Sequence, residues 1–319
     1  MNVPLLTLDD GELADRDAFR RDVFTGLAQA ARAIPAKYLY DARGSALFDA
    51  ICDQPEYYPT RTEAAILRQH APEIARLAGP GAVLVEYGSG SSVKTRLLLD
   101  AMPDLQAYVP VDISRQHLEM TARQLREDYP GLRIAPVTGD YMALDALPDT
   151  VSDARRVGFF PGSTIGNLVP EEAVLFLKRA RRLLRADGAL LLGVDLKKDP
   201  QRLHDAYNDR AGVTARFTLN LLRRMNRELE ANFDLAAFAH DASYKEASGR
   251  IEIYFRSLRD QVVTIAGRRF QFAECERIHT EYSYKYDDAD ITELARRGGF
   301  SIAAVWTDPA RLFAVAFLE

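Results

Sequence analysis

Val83-Leu84-Val85-Glu86-Tyr87-Gly88-Ser89-Gly90-Ser91-Ser92 runs three apolar residues into an acidic one, then a Gly-Ser-Gly turn, then a helix-compatible segment from Val93 to Ala101. A strand that passes through a tight glycine turn into a helix is how open α/β sheets hold nucleotide-type ligands. Glycine lets the backbone approach a ligand closely and visit positive φ without a Cβ clash. Glycine turns also serve plain strand–helix packing, so both readings stand at this motif alone. A second acidic marker follows. Tyr108-Val109-Pro110-Val111-Asp112 reads as the next strand, with Asp112 at its carboxyl end, where a carboxylate accepts both hydroxyls of a ribose. The 24 residues from Gly88 to Asp112 lie near the roughly 20 expected for that role. Val93 stands where a Gly-x-Gly-x-x-Gly fingerprint wants its third glycine. This favours a ligand with one nucleoside and no pyrophosphate, and S-adenosylmethionine (SAM) is the commonest such cofactor.

Composition bounds the rest. With 319 residues and 47% apolar content, the chain suits a soluble globular protein with two lobes and a sizeable core. A net charge of −5 gives no strong basic field, so nucleic acid is not the expected partner. Two cysteines, Cys52 and Cys275, make no disulfide framework and point to a reducing compartment. No apolar run approaches the ~20 residues of a membrane span. The acidic stretch from Met1 to Arg16 has no apolar export core. A cytoplasmic monomer with no membrane partner is expected.

A regular α/β rhythm occupies the middle of the chain. Strands are expected at Val83–Tyr87, Ala107–Asp112, Leu132–Thr138, Val157–Phe160 and Ala189–Val194, with helices such as Ser114–Tyr129 and Glu171–Arg185 between them. That alternation predicts a parallel sheet covered on both faces. Two more strand-like runs, Ser301–Trp306 and Leu312–Leu318, flank Asp308-Pro309. Five strands plus a terminal hairpin-like pair suit a class I (Rossmann-like) methyltransferase sheet better than a plain dinucleotide fold. Between Asp195 and Tyr286 the pattern changes. An amphipathic helix carries Phe217, Leu221, Leu222, Met225 and Leu229, followed by strands at Arg250–Leu258, Gln261–Ile265 and Arg269–Phe272 with a turn at Ala266-Gly267. The expected division is a cofactor domain, 60–195 plus 287–319, and an α+β substrate lobe, 1–59 plus 196–286.

Several clusters could carry chemistry. Gly139-Asp140-Tyr141 follows the third strand, where Asp140 would bond an adenine amino group and Tyr141 flank the ring; an Asx turn opening a helix is the alternative. Phe160-Pro161-Gly162-Ser163-Thr164-Ile165-Gly166-Asn167 follows the fourth strand at the edge that lines the ligand crevice. Asn167 has donor and acceptor atoms suited to an amino acid's amine and carboxylate, or else caps the helix after Val169. Thr280-Glu281-Tyr282-Ser283-Tyr284-Lys285-Tyr286, if extended, puts Glu281, Ser283 and Lys285 on one face and tyrosines on the other. Glu281 and Ser283 would then accept from a substrate with N–H donors, or form a solvated strand face. Tyr40, Tyr57 and Tyr207 taken singly read as half-buried packing residues. The histidines show no metal-ligand spacing and no Gly-x-Ser-x-Gly elbow is present, so neither a metal nor acyl transfer is expected.

With these clusters in view, the chain resembles the SAM-dependent histidine Nα-methyltransferases of ergothioneine biosynthesis over nearly its whole length. The markers are Tyr38-Leu39-Tyr40-Asp41 with Gly44-Ser45, Pro55-Glu56-Tyr57-Tyr58-Pro59-Thr60-Arg61, Glu86-Tyr87-Gly88-Ser89-Gly90, Gly162 to Leu168, Tyr207-Asn208, and Ile278-His279-Thr280-Glu281 with Ser283. The resemblance implies three methyl transfers to the amine of L-histidine, giving hercynine. It implies a SAM site at Gly88, Lys94, Asp112, Asp140 and Tyr141. It implies Tyr57, Asn167 and Tyr207 at the amino and carboxylate groups with Tyr40 nearby, and Glu281 and Ser283 at the imidazole with Tyr282 between them. The hydroxyl of Tyr40 or of Tyr57, or water, would relay the amine's proton. Family members often carry methionine where Ile253 stands, a side chain of similar volume. The nearer alternative is the same fold acting on tryptophan or tyrosine, although neither ring needs the Glu281–Ser283 acceptor pair. The remoter one is a non-catalytic nucleotide-binding module or a dinucleotide oxidoreductase.

Overall fold

The computed structural model describes residues 10–89, 93–148 and 154–319. Its elements begin with α1 (Asp10–Leu27), α2 (Ala42–Cys52), α3 (Pro59–Ala78), β1 (Val83–Tyr87), α4 (Val93–Ala101), β2 (Ala107–Asp112) and α5 (Arg115–Asp128). Then come β3 (Arg133–Ile134), β4 (Val137–Thr138), β5 (Arg156–Phe160), α6 (Pro170–Leu184), β6 (Ala189–Asp195), α7 (Pro200–Ala206) and α8 (Val213–Glu228). The remainder is β7 (Phe238–Lys245), β8 (Arg250–Ser257), β9 (Gln261–Ile265), β10 (Arg268–Phe272), β11 (Arg277–Tyr284), α9 (Asp288–Gly298), β12 (Ile302–Thr307) and β13 (Phe313–Leu318).

Two compact units are present. The larger comprises Phe48–Ala211, Ser243–Ile251 and Tyr282–Glu319. Its sheet runs β12-β13-β6-β5-β1-β2-β3, with β4 also on β2. Strands β3, β4, β2, β1, β5 and β6 are parallel, and β13 enters antiparallel between β6 and β12. A parallel core closed by an antiparallel C-terminal pair is the class I sheet expected from the sequence. Successive strand residues face opposite sides, so Val83, Val85 and Tyr87 pack with Phe176 and Leu177 of α6 and with Leu294 of α9. Leu84 and Tyr108 pack instead with Ile66, Leu67 and Ile74 of α3 and Leu98 of α4. A sheet buried on both faces explains why these strands read as continuous apolar runs.

One expected strand is interrupted. Leu132–Thr138 forms two short pieces, β3 and β4, on either side of Ala135-Pro136. Proline has no N–H for the ladder, which breaks the strand although both pieces pair with β2. Helix α6 opens with Pro170 at its first turn and Glu172 accepting from the Val169 amide at 3.3 Å.

The smaller unit holds residues up to Leu47, Gly212–Ala242 and Glu252–Glu281. Phe217, Leu221, Leu222 and Met225 form the buried stripe of α8, as their spacing predicts. Strands β9 and β10 pair antiparallel with Ile265 opposite Arg268. Ala266 and Gly267 both have positive φ, 43° and 78°, which is the type I′ geometry of a two-residue hairpin. Phe238 meets Phe233, Phe255 and Phe272 with ring centroids 5.5–5.8 Å apart. Strand β7 and helices α1 to α3 have no counterpart in the sequence reading. The chain passes between units within α2, β7, β8 and β11 and between Ala211 and Gly212. The unit boundaries differ from the expected division in grouping 48–59, 196–211, 243–251 and 282–286 with the sheet.

Glu63 of α3 is fully buried and organises the sheet unit's carboxyl edge. Its Oε2 accepts from Lys94 Nζ at 2.7 Å and from the Gly162 amide at 2.8 Å. Gly193 of β6 leaves room for it, because a Cβ at Gly193 would sit 2.1 Å from Glu63 Oε1. Gly193→Ala is expected to cost about 1–3 kcal/mol, the scale of overpacking a closed core. Urea denaturation checks this; unchanged stability would mean that Glu63 swings aside freely.

Candidate active site

Strand register gathers the predicted cofactor residues at one edge. Tyr87 lies opposite Val111, so Gly88 follows β1 beside Asp112, the last residue of β2. Asp112 in turn pairs with Thr138, two residues before Asp140. Gly88 has φ 78° and donates its amide to Val111 O at 2.8 Å. Among the described residues, a Cβ there would meet no atom within 4 Å. Gly90, Ser91 and Ser92 lie outside the described residues.

Each acidic residue at this edge also shapes its own loop. Asp112 Oδ1 accepts from the Ser114 amide at 2.8 Å. Asp140 Oδ1 accepts from the Met142 amide at 2.8 Å, so the Asx turn forms, and the side chain is exposed at the crevice edge. Tyr141 packs edge-on against Phe160 and Phe176, with centroids 5.3 and 5.7 Å away. Behind the turn, Glu86 is buried and takes hydrogen bonds from Tyr108 OH and, at 2.8 Å, from Thr95 Oγ1. Burial pushes its carboxyl up to about 7 against those bonds. Lys94, expected at the cofactor, has its ammonium on Glu63.

The segment after β5 turns sharply. Gly162 and Ser163 have φ 74° and 58°, and a non-glycine residue in that region is uncommon. Ser163 Oγ accepts the Asp195 amide at 2.9 Å, and the single turn Thr164–Asn167 follows. Val169, rather than Asn167, caps α6, which removes the capping alternative for Asn167.

Tyr57 and Tyr207 come together, their rings edge-on at 6.2 Å, with Phe48 6.3 Å from Tyr57 on another side. Tyr207 OH lies 2.7 Å from Ser283 Oγ. Behind them is a buried network that the sequence reading did not include. Lys285 Nζ donates to Tyr207 OH at 2.8 Å and Ser283 Oγ at 2.7 Å, and pairs with Asp195 at 2.8 Å. Asp195 also accepts from Tyr58 OH at 2.7 Å and pairs with Lys198. Burial alone would raise the Asp195 carboxyl, but the two ammonium groups hold it below the usual carboxylate range. Burial brings Lys198 down to about 8 despite the pull of Asp195. The only signal for this network was alternation, which put Lys285 on the face of Glu281 and Ser283.

That face is buried, with Glu281 8%, Ser283 5% and Lys285 2% exposed, so the solvated-face alternative is excluded. Tyr282 alternates to the other side, where the Arg250 guanidinium lies 4.0 Å from its ring centre. In the smaller unit, Ile253 is buried on β8, and its carbonyl accepts from Thr280 Oγ1 at 3.1 Å. Tyr40 packs edge-on against Phe217 at 5.3 Å. Its neighbour Asp41 anchors that segment to α8 through Asn220 and Arg227, each at 2.7 Å.

A family model described as histidine-specific methyltransferase, SAM-dependent, matches residues 19–319. The histidine N-alpha-methyltransferase of Mycolicibacterium smegmatis is 44% identical over 306 residues, covering 94% of each chain. The protein of that name from Mycobacterium tuberculosis is 41% identical over 311 residues, covering 96% of each. Ergothioneine biosynthesis protein 1 of Neurospora crassa is 32% identical over 285 residues, which is 86% of this chain and 32% of that longer protein. The parallel sheet, the glycine turn after β1 and the match over residues 19–319 agree: the chain belongs to the SAM-dependent histidine-specific methyltransferase family.

Proposed function

We propose that this protein transfers three methyl groups in succession from SAM to the α-amino nitrogen of L-histidine, giving hercynine for ergothioneine biosynthesis. The observation that carries this reading is the match, over nearly the whole of both chains, to the mycobacterial histidine N-alpha-methyltransferases. In the proposed division, the sheet segments 60–195 and 287–319 serve the cofactor and the remaining segments the substrate.

SAM supplies a methyl carbon already activated by its sulfonium, so the chain's task is alignment rather than covalent or metal assistance. Gly88 gives the close backbone approach, Asp112 takes the ribose hydroxyls, and Asp140 and Tyr141 receive the adenine. Lys94, held by Glu63, closes the same edge. Asn167, Tyr57 and Tyr207 hold the amine and carboxylate. Glu281 and Ser283 take the imidazole beside Ile253, while Tyr282 braces their strand against Arg250. The attacking amine must be neutral, and each transfer leaves a cation that has to shed a proton before the next. The hydroxyls of Tyr40 and Tyr57 are the proposed relay. Tyrosine faces also tolerate a growing methylammonium through cation–π attraction of roughly 0.5–2 kcal/mol. Both cysteines are free thiols, in keeping with a reducing cytoplasm, and the enzyme is proposed to act there as a monomer.

Three outcomes are expected. With SAM and L-histidine, mass spectrometry should show the trimethylated product, and mono- and dimethylhistidine should both be accepted; a product that stops at one methyl, or carries it on the ring, defeats the reading. Asp112→Ala should weaken SAM by about 1.5–3 kcal/mol, the worth of bonds to a charged acceptor, and calorimetry showing unchanged affinity removes Asp112 from the site. Glu281→Ala should lower kcat/KM for histidine roughly ten- to 150-fold while tryptophan loses much less. An equal fall for the two amino acids would take Glu281 away from the imidazole.

A further inference from the structure

The ammonium of Lys285 has no exposed surface, and its three contacts, to Asp195, Tyr207 and Ser283, match its three protons. Lysine cannot accept a hydrogen bond, so both hydroxyl oxygens accept from it. A hydroxyl polarised by a cation in a dry site is a stronger donor to the next group. Asp195 is itself shared, because Lys198 lies on it as well and donates to Tyr58 OH at 2.6 Å. Two buried ammonium groups therefore lean on one buried carboxylate, with Asp308 adding a longer-range attraction on Lys198. Buried charge is tolerated only when paired, and this cluster has positive charge to spare immediately behind Tyr207.

We infer that Lys285, anchored by Asp195, is a positioning residue that aims and polarises the Tyr207 hydroxyl toward the substrate's carboxylate, so that the site selects α-amino acids over amines without one. Ser283 shares the same ammonium and fixes the Tyr207 oxygen from a second side. The inference rests on the reading that Tyr207 meets the carboxylate of histidine. Lys285 does not touch the reacting atoms, and its effect belongs to substrate recognition and hence to KM.

The test compares L-histidine with histamine, which keeps the ring and the amine but lacks the carboxylate. Lys285→Met should lower kcat/KM for histidine by roughly ten- to 100-fold, mainly through KM, while whatever turnover histamine shows changes little. SAM affinity and melting temperature serve as the controls for folding. Lys285→Arg, which keeps the charge, should retain most of the preference for histidine, and it stands in as the test if the methionine variant does not fold, since loss of preference in a folded arginine variant would contradict the role given to charge. In a Tyr207→Phe background, Lys285→Met should no longer alter the ratio of the two substrates. An equal fall for both substrates, or a histidine preference kept intact in Lys285→Met, overturns the inference while wild-type hercynine formation leaves the function standing. If the wild-type protein does not methylate histidine, both fall together.

Discussion

The carboxylate of Glu63 is the constraint on which the sheet unit's working edge depends. It sits without exposure between α3, the first turn of α4 and the loop after β5. A carboxylate in such a place must be fully paired, and it is paired with the helix that follows the glycine turn and with the backbone at Gly162. Its demands reach into the sequence of other strands. Gly193 carries no side chain because an oxygen of Glu63 occupies that space. One acidic residue on a helix thus ties the edge proposed for the cofactor to the loop proposed for the substrate, so a shift of α3 would move both.

The polar interior of the sheet unit is arranged in two layers of different chemistry. Under the glycine turn, Glu86 with Tyr108 and Thr95 makes a compact group in which burial favours the neutral acid. Around Asp195 the opposite holds, since two lysines keep the carboxylate ionised against its burial. The first arrangement suits a place that only has to stay rigid. The second suits a place where fixed charge meets a charged substrate, because hydroxyls between lysine and ligand transmit the field while keeping the ammonium away from the reacting nitrogen.

Much of this was legible in the sequence. Strands buried on both faces write themselves as apolar runs, and a turn that must lie close to a ligand writes itself in glycine, so the sheet and the Gly88, Asp112 and Asp140 edge could be read directly. The helices α1 to α3 were not read from the sequence, although α3 opens with Pro59 in its first turn and buries Leu67, Ala71, Ile74 and Ala78 at helical spacing. Strand β7, Phe-Ala-His-Asp-Ala-Ser-Tyr-Lys, mixes polar and apolar residues without clean alternation. Pro136 was visible, but its effect on pairing depended on which strand lay beside it. The Asp195, Lys198 and Lys285 cluster escaped for a similar reason. Its members are far apart or adjacent to strand ends, and a lone lysine on a tyrosine-rich strand looks like solubilising surface until the fold buries it.

Strand β13 enters the sheet out of turn, and this bears on how the protein is made. Every residue of β6 is buried, and one of its two edges is covered by β13. During synthesis β6 is complete long before residues 313–318 leave the ribosome, so for more than a hundred residues of elongation an apolar strand has one unsatisfied edge. Such an edge is a template for wrong pairing with another chain. Until β13 arrives, that edge of the nascent sheet has no partner in the order the finished fold uses.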